Sequence, residues 1–315
     1  MPGKDRPITG RGRISTSAWK QTAGKLQKSN GQILQASACA DGPDPGAAYA
    51  AAACAAARLY VLGGLAECAA VQIAVPAGTG TGLLSGLTRG GQEACQAAGF
   101  ASVSSQVCVL EGDFLPRVTV FASGRKCTQQ TAETARVTAG EGLVMAGYAG
   151  WRGGALLAKL HQDRLTAHFS PSFLRDVLQA PDEDFSPVRA VREAFLQGAD
   201  DVFVCGEGGI FTAAREFAEK EGLGVRVSLA DILLRQETVE ICDLAGVSPY
   251  LLMSQGCVLI AARQPLKVQI QLAGAGIPAG VIGYFTDDND RVVTDGEETR
   301  YLEPFRRDSF YDSCL

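Results

Sequence analysis

The sequence predicts an α+β protein made of two mixed α/β domains, and three observations lead to this prediction. The chain has 315 residues, about twice the length of an ordinary domain. Hydrophobic residues make up 46% of it and charged residues 20%, as is typical of globular proteins with a buried core. Strand-like and helix-like segments follow one another without the strict alternation of a parallel α/β fold.

The first half is predicted to mix helices and strands. An alanine-rich helix is expected over residues 47–62, because Asp44 can cap its start and Pro45 suits its first turn. Apolar runs and turn residues then predict a strand over 69–75, a helix over 83–98, and strands over 101–110 and 118–122. Residues 1–35 are polar and basic and are expected to form an N-terminal arm with a short helix over 17–28.

A polar stretch that begins at Ser123 predicts a domain boundary near residue 138, which gives domains of residues 36–138 and 139–315. The second domain is expected to contain helices over 187–197, 210–221 and 236–245, and strands over 201–205, 224–229, 257–262 and 279–286. The acidic run 287–290 is expected to form a hairpin turn, since the Glu that a calcium loop needs at its twelfth position is missing.

The charge and the apolar runs of the chain exclude several classes of partner. The 29 Lys and Arg against 34 Asp and Glu give a net charge of −5, so nucleic acid is not an expected partner. No long apolar stretch is free of charged residues, and the basic N-terminus is not followed by the apolar segment of a secretory signal. We therefore expect no membrane span and a cytoplasmic location.

Ten cysteines are spread over the chain without any C-x-x-C pair, and only two histidines, His161 and His168, accompany them. Most of the cysteines are expected to be small buried hydrophobic residues with free thiols. A metal or redox module remains an alternative only if the fold brings several of these cysteines together.

Two glycine-rich turns precede predicted helices, where backbone N–H groups can bind anions. The first, residues 78–82, lacks the Lys of a P-loop and is interpreted as a flexible connection. The second, Gly206-Glu207-Gly208-Gly209, can serve either close packing of the helix or a ligand. The sequence leaves these two roles open.

Ordered motifs in the second half resemble the AIR synthase-related proteins, which include the PurM and HypE families. The similarity covers about residues 139–315 and rests on the glycine turn 206–209, residues 235–243, 246–252 and 254–260, and the Gly280-Val281-Ile282-Gly283 strand. The resemblance implies a PurM-like N-terminal domain that forms an intersubunit β-barrel, and a PurM C-terminal-like α+β domain that covers a nucleotide cleft.

The resemblance also implies positions for ATP and Mg²⁺, and the chain departs from the family pattern there. Members place an Asp before the first long helix, and Asp41 matches this position. The Asn-Asp expected after that helix aligns with Leu59-Tyr60, and an acidic strand motif aligns with residues 104–107. Phe203-Val204 replaces a His-Asp ahead of the glycine turn. Because carboxylates are lost at three places, weak or no Mg-ATP binding is expected.

The sequence therefore predicts a catalytically degenerate scaffold or regulatory subunit, a pseudoenzyme with no cofactor, no assigned metal ligand and no assigned catalytic residue. The residues expected at what remains of the nucleotide site are Asp41, Glu67, Gly206, Glu207, Gly208 and Gly209. The alternative is an ATP-dependent phosphoryl-transfer or hydrogenase-maturation-type enzyme that uses Mg²⁺ with rearranged ligands, for example Asp41, Glu67, Glu111 and Glu207. The expected assembly is a homodimer or a heterodimer with an active paralogue.

Overall fold

The computed structural model describes residues 32–127 and 136–314, and the first of these segments forms an open sheet of four strands. The strands are β1 (Ile33–Asp41), β2 (Cys68–Pro76), β3 (Ser102–Leu110) and β4 (Arg117–Arg125). Their order is β1-β4-β2-β3, in which β2 and β3 are parallel and the other pairs antiparallel. Strands β1 and β3 form the two edges, so the sheet is not closed into a barrel within the described chain.

Two helices, α1 (Pro45–Val61) and α2 (Thr81–Ala97), pack together against this sheet. Helix α1 begins where predicted, because the Asp44 side chain accepts a hydrogen bond from the Gly46 N–H at 2.8 Å and Pro45 fills the first turn. All nine of its alanines are buried. The two helices approach so closely that a Cβ on Gly90 of α2 would lie 2.7 Å from the Pro45 Cβ.

The second segment forms a sheet of seven strands in the order β11-β10-β7-β9-β5-β8-β6, with β7 and β10 as its parallel pair. The strands are β5 (Gly142–Ala146), β6 (Asp201–Val204), β7 (Gly224–Ser228), β8 (Val258–Ala262), β9 (Ala279–Thr286), β10 (Arg291–Asp295) and β11 (Glu298–Tyr301). Its helices are α3 (Trp151–Leu160), α4 (Gln162–Leu165), α5 (Pro171–Leu178), α6 (Val188–Leu196), α7 (Gly209–Glu221), α8 (Gln236–Ala245) and α9 (Pro265–Gly274).

The larger hydrophobic core is shared by the two sheets. Helix α1 contacts β1 and β4 on one side and β6 and α6 on the other, so its buried residues join those of both sheets. A smaller core lies on the opposite face of the seven-stranded sheet, under α7. Adjacent residues of β8 alternate between the two cores, with Ile260 in the larger and Leu259 in the smaller.

The predicted mixed α/β fold is confirmed, and most predicted elements are present to within two or three residues. The two sheets lie on either side of the predicted boundary at residue 138, which itself stays a prediction because their core is continuous. The predicted helix over 17–28 lies outside the described residues.

Two sequence predictions are wrong. The predicted arm extended to residue 35, but β1 begins at Ile33 and pairs with β4 along its whole length. The run 287–290 does not close a hairpin, because β7 lies between β9 and β10. In both cases the pairing partner is distant in sequence, so local turn signals could not identify it.

In the part of the chain that the structure describes, no helix combines the length and the apolar character needed to cross a membrane.

Candidate functional site

Two of the predicted carboxylates, Asp41 and Glu207, are joined by Arg117 in a cleft between the two sheets. The guanidinium donates from Nε and Nη2 to the two oxygens of Asp41, at 2.7 and 2.8 Å, and Nη2 also donates to Glu207 Oε1 at 2.6 Å. The Asp41 side chain is only 2% exposed, whereas that of Arg117 is 40% exposed. The hydrogen bonds to Asp41 raise the pKa of the Arg117 guanidinium, so the arginine stays charged.

Strand pairing brings Asp41 and Arg117 together. They stand opposite each other as the last pair of the β1–β4 ladder, where side chains of opposed residues lie on one face about 5 Å apart. Glu207 reaches them from the turn after β6, the edge strand of the other sheet that packs against α1. The charged cluster therefore links the ends of the two sheets.

Asp41 has two further partners. The Tyr311 hydroxyl donates to Asp41 Oδ2, and Arg152 Nη2 donates to the Asp41 carbonyl oxygen at 3.0 Å. Burial, and then the hydrogen bond to Asp41, raise the pKa of Tyr311. Both oxygens of the Asp41 carboxylate thus accept hydrogen bonds from the protein itself.

Cys39 is the thiol of the cleft, two residues before Asp41 on β1. Its Sγ lies 3.7 Å from Glu207 Oε1. Burial, followed by the Glu207 charge, raises the pKa of Cys39 to about 11. The thiol is protonated at neutral pH and is therefore a poor nucleophile.

The glycine turn 206–209 is shaped by close packing. Gly208 (φ +77°) and Gly209 (φ +69°) are in the left-handed conformation that glycine favours. A Cβ on Gly209 would lie 2.3 Å from the Tyr250 carbonyl oxygen, and one on Gly208 would lie 2.4 Å from Thr212 Oγ1. Of the two roles that the sequence left open, packing accounts for both of these glycines.

A carboxylate of the chain itself occupies this turn. The Gly208 N–H donates to Asp308 Oδ2 at 2.7 Å, and the Phe310 N–H donates to Asp308 Oδ1 at 2.9 Å. Asp308 belongs to the C-terminal segment that follows β11 and returns to the cleft, where Phe305 also contacts Gly208. Burial raises the pKa of Asp308 to about 6, although these backbone donors act in the opposite direction.

Glu67 does not join this cluster. It pairs with Arg125 at 2.6 Å, at the opposite end of β4 from Arg117. Eight residues separate the two arginines, which corresponds to roughly 25 Å along a strand.

Two of the motif positions aligned by resemblance also lie away from the cleft. Leu59 and Tyr60 stand at the far end of α1, roughly 20 Å from its start next to Asp41. Residues 104–106 pair with residues 70–72 in the middle of β2. Neither position therefore belongs to the Asp41–Arg117–Glu207 cluster, although Arg58, next to Leu59, lines the cavity beside Glu207. Phe203, by contrast, lies beside Glu207 and stacks on Phe217 at 5.6 Å.

Two cavities flank the cluster. One of about 590 Å³ lies beside Arg117 and is lined by Asp41, Glu111, Arg307 and Tyr311 among others. The other, of about 200 Å³, lies on the side of Glu207, Cys39 and Arg58. Glu111, named as a ligand in the enzyme alternative, therefore shares a cavity with Asp41.

The carboxylates of the cleft do not fit a magnesium site. Mg²⁺ needs several oxygen ligands around one position, whereas Arg117 already fills the space between Asp41 and Glu207. Within the described residues no group of three or more His, Cys, Asp or Glu has a metal-binding arrangement. A nucleotide phosphate at the glycine turn would likewise have to displace Asp308.

Sequence reasoning missed Arg117, Asp308 and Tyr311. Arg117 follows Pro116 at the start of a predicted strand, and a basic residue there gives no local signal of its partner. Asp308 lies 100 residues from Gly208, and Tyr311 lies 270 residues from Asp41.

The family model for the C-terminal domain of AIR synthase related proteins matches residues 138–296 of the chain. A Methanocaldococcus jannaschii protein named for hydrogenase expression and formation is 25% identical over 118 residues. This match spans 35% of either chain, so the present chain covers about a third of that relative's length.

The fold is similar to solved structures of HypE. The Escherichia coli hydrogenase maturation protein HypE gives a TM-score of 0.68 at 16% identity, covering 91% of this chain and 90% of its own. HypE in complex with ATP gives 0.68 at 16% identity, with 92% and 91% covered. A HypE–HypF complex gives 0.64 at 14% identity, with 86% and 90% covered. At these identities the likeness establishes a common fold.

Proposed function

The chain belongs to the family of AIR synthase related proteins, and on this premise we propose that it is a HypE-like scaffold or regulatory subunit with weak or no Mg-ATP binding. The observation that carries the proposal is the Arg117 side chain. Its guanidinium binds Asp41 through two hydrogen bonds and Glu207 through a third, so it occupies the two cleft carboxylates that a dication would need and offsets one of their two negative charges.

The C-terminal segment supports the same proposal. The Asp308 carboxylate accepts a hydrogen bond from the Gly208 N–H, in the glycine turn ahead of α7. A bound phosphate would need this same N–H group as a donor. The hydroxyl of Tyr311, in the same segment, donates a hydrogen bond to one carboxylate oxygen of Asp41. A nucleotide at this place would therefore have to replace contacts that the protein makes with itself.

The test is calorimetric titration with ATP, in the presence and absence of Mg²⁺, together with an assay of ATP hydrolysis. We expect no magnesium-dependent binding and hydrolysis at the background rate. Tight binding that requires Mg²⁺ and is lost in Asp41→Asn or Glu207→Gln would overturn the proposal. Glu67→Gln is the matched control, because this carboxylate also pairs with an arginine but lies at the other end of the sheet.

One observation favours the alternative, an ATP-dependent phosphoryl-transfer or hydrogenase-maturation-type enzyme. The cavity of about 590 Å³ has both Asp41 and Glu111 in its wall, and a similar fold binds ATP in one HypE structure. In such an enzyme ATP and Mg²⁺ would enter beside Arg117. Glu111→Gln would then abolish magnesium-dependent binding, whereas in a scaffold it would change nothing.

We further propose that the chain acts in an assembly, as a homodimer or with an active paralogue. A similar fold is found in complex with HypF in one HypE structure. Strand β3 is an edge of the four-stranded sheet and leaves Val107, Val109 and Leu110 at least 37% exposed. Ten free thiols support a reducing compartment such as the cytoplasm.

A further inference from the structure

A separate cavity of about 610 Å³ lies outside the Asp41–Glu207 cleft and has an aromatic wall. Trp151 and Tyr148, in and before the first turn of α3, line it together with Tyr49 of α1. The Arg235 guanidinium lies over the rings of Trp151 and Tyr148, at 4.1 and 5.5 Å from their centroids. Cavities of this size and composition are typical of sites for small molecules.

The aromatic wall is held rigidly. The Asp184 carboxylate accepts from Trp151 Nε1 at 3.2 Å and lies 3.4 Å from Arg235 Nη1. Glu237 lies 3.7 Å from Arg235 Nε. Arg235 therefore has its charge balanced by the protein, and the ring of Trp151 is fixed before any ligand enters.

Two further charged side chains of the wall have no oppositely charged partner of this kind. Arg189 donates a hydrogen bond to the Ala275 carbonyl oxygen. Burial raises the pKa of the Tyr49 hydroxyl, and the negative charge of Glu183 raises it further. Neither Arg189 nor Glu183 forms an ion pair with another residue of the described chain. Both residues are exposed and line the cavity, so they offer a ligand one cation and one anion without an ion-pair partner.

The remaining wall leaves room for an apolar group. Ile277 and Pro278 line the cavity next to Gly276, which is left-handed (φ +74°) and has no atom within 4 Å of the place of a Cβ. Backbone and small apolar side chains therefore border open space at this end.

We propose that this cavity binds an aromatic α-amino acid. Arg189 would bind the carboxylate, Glu183 the ammonium group, and the ring would lie against Tyr49, Ile277 and the Arg235 guanidinium that covers Trp151. A nucleotide fits the charges less well, because its phosphates would face Glu183 and Asp184 as well as the two arginines. The proposal is independent of whether the cleft binds ATP.

The fluorescence of Trp151 offers a direct test. The chain has two tryptophans, so a Trp19→Phe variant of the full chain leaves Trp151 as the only one. Titration with phenylalanine, which does not absorb at the tryptophan excitation wavelength, is expected to change Trp151 emission in a saturable way. Phenylacetate and phenethylamine each lack one charge and are expected to bind about tenfold more weakly.

Matched variants test the two charged contacts in the same background. Arg189→Gln and Glu183→Gln are each expected to weaken phenylalanine binding about tenfold. Arg89→Gln and Glu93→Gln change an exposed ion pair on α2 and are expected to leave binding unchanged.

Three outcomes would overturn the proposal. They are no saturable change in Trp151 emission at millimolar phenylalanine, equal binding of phenylalanine and phenylacetate, and full binding by both Arg189→Gln and Glu183→Gln. A response to ATP but not to phenylalanine that Arg189→Gln abolishes would instead indicate a nucleotide site in this cavity.

Discussion

Arg117 and Arg125 stand at the two ends of β4 and differ in the burial of their carboxylate partners. The side chain of Asp41, the partner of Arg117, is 2% exposed, whereas that of Glu67, the partner of Arg125, is 24% exposed. Removing one member of a pair is costly only when the charge left behind is shielded from water.

We therefore predict that Arg117→Gln lowers the free energy of unfolding by about 2 kcal/mol, whereas Arg125→Gln changes it by less than about 1 kcal/mol. Urea unfolding of the two variants beside the wild type measures the difference. Equal losses would mean that Asp41 is reached by water in the absence of Arg117.

Asp308 predicts a pH dependence of stability. Its pKa is about 6 in the folded chain against an ordinary value of 3.8, so between these values the native state binds a proton that the unfolded state has released. Stability from this group is present at low pH and is lost as the pH rises through about 6. The loss amounts to roughly 2–3 kcal/mol, from 1.36 kcal/mol per pKa unit.

Asp308→Asn should remove this contribution and flatten the stability profile between pH 4 and 7. Denaturant unfolding at several pH values checks it. Asp312→Asn, on an exposed carboxylate of the same segment, serves as the control and should leave the slope unchanged. An unaltered slope in Asp308→Asn would assign the pH dependence to other groups.

Helix α7 is bounded by two left-handed glycines whose surroundings differ. A Cβ at Gly209 would lie 2.3 Å from the Tyr250 carbonyl oxygen, whereas nothing lies within 4 Å of a Cβ at Gly222. Both Gly→Ala changes introduce backbone strain of about 1 kcal/mol, but only the first adds a clash.

We predict that Gly209→Ala destabilises the protein by at least about 2 kcal/mol more than Gly222→Ala does. Chemical denaturation monitored by circular dichroism gives both values. Similar losses would show that the turn can move away from Tyr250, which would leave room for a ligand there.

Element boundaries were predictable where local signals are strong. Helix α8 and strand β9 occupy the predicted residues 236–245 and 279–286, because a closing glycine and a run of β-forming residues mark them. Strand β10 was missed, since it is stabilised by parallel pairing with β7, more than 60 residues earlier. Its own sequence, with Asp and Arg at the ends, favours a loop as much as a strand.

At the scale of the whole molecule, the exposed edge strand β3 predicts self-association. Val109 is 60% exposed on this edge. We expect the wild type to sediment as a dimer or larger species at micromolar concentration, and Val109→Lys to shift it toward monomer without loss of helix content. Val239→Lys, at an exposed valine of α8, is the control. A monomeric wild type would contradict the prediction.

Composition, helix and turn signals determined the fold class, and the resemblance carried by the ordered motifs of the second half predicted Asp41, Glu207 and the glycine turn as candidate site residues. These features are local, so residue order alone expresses them. The tertiary structure decided that Arg117 lies between the two carboxylates and that Asp308 occupies the turn. These contacts span 76, 90 and 100 residues and depend on strand register and on the return of the C-terminal segment, which are set by packing of the whole chain.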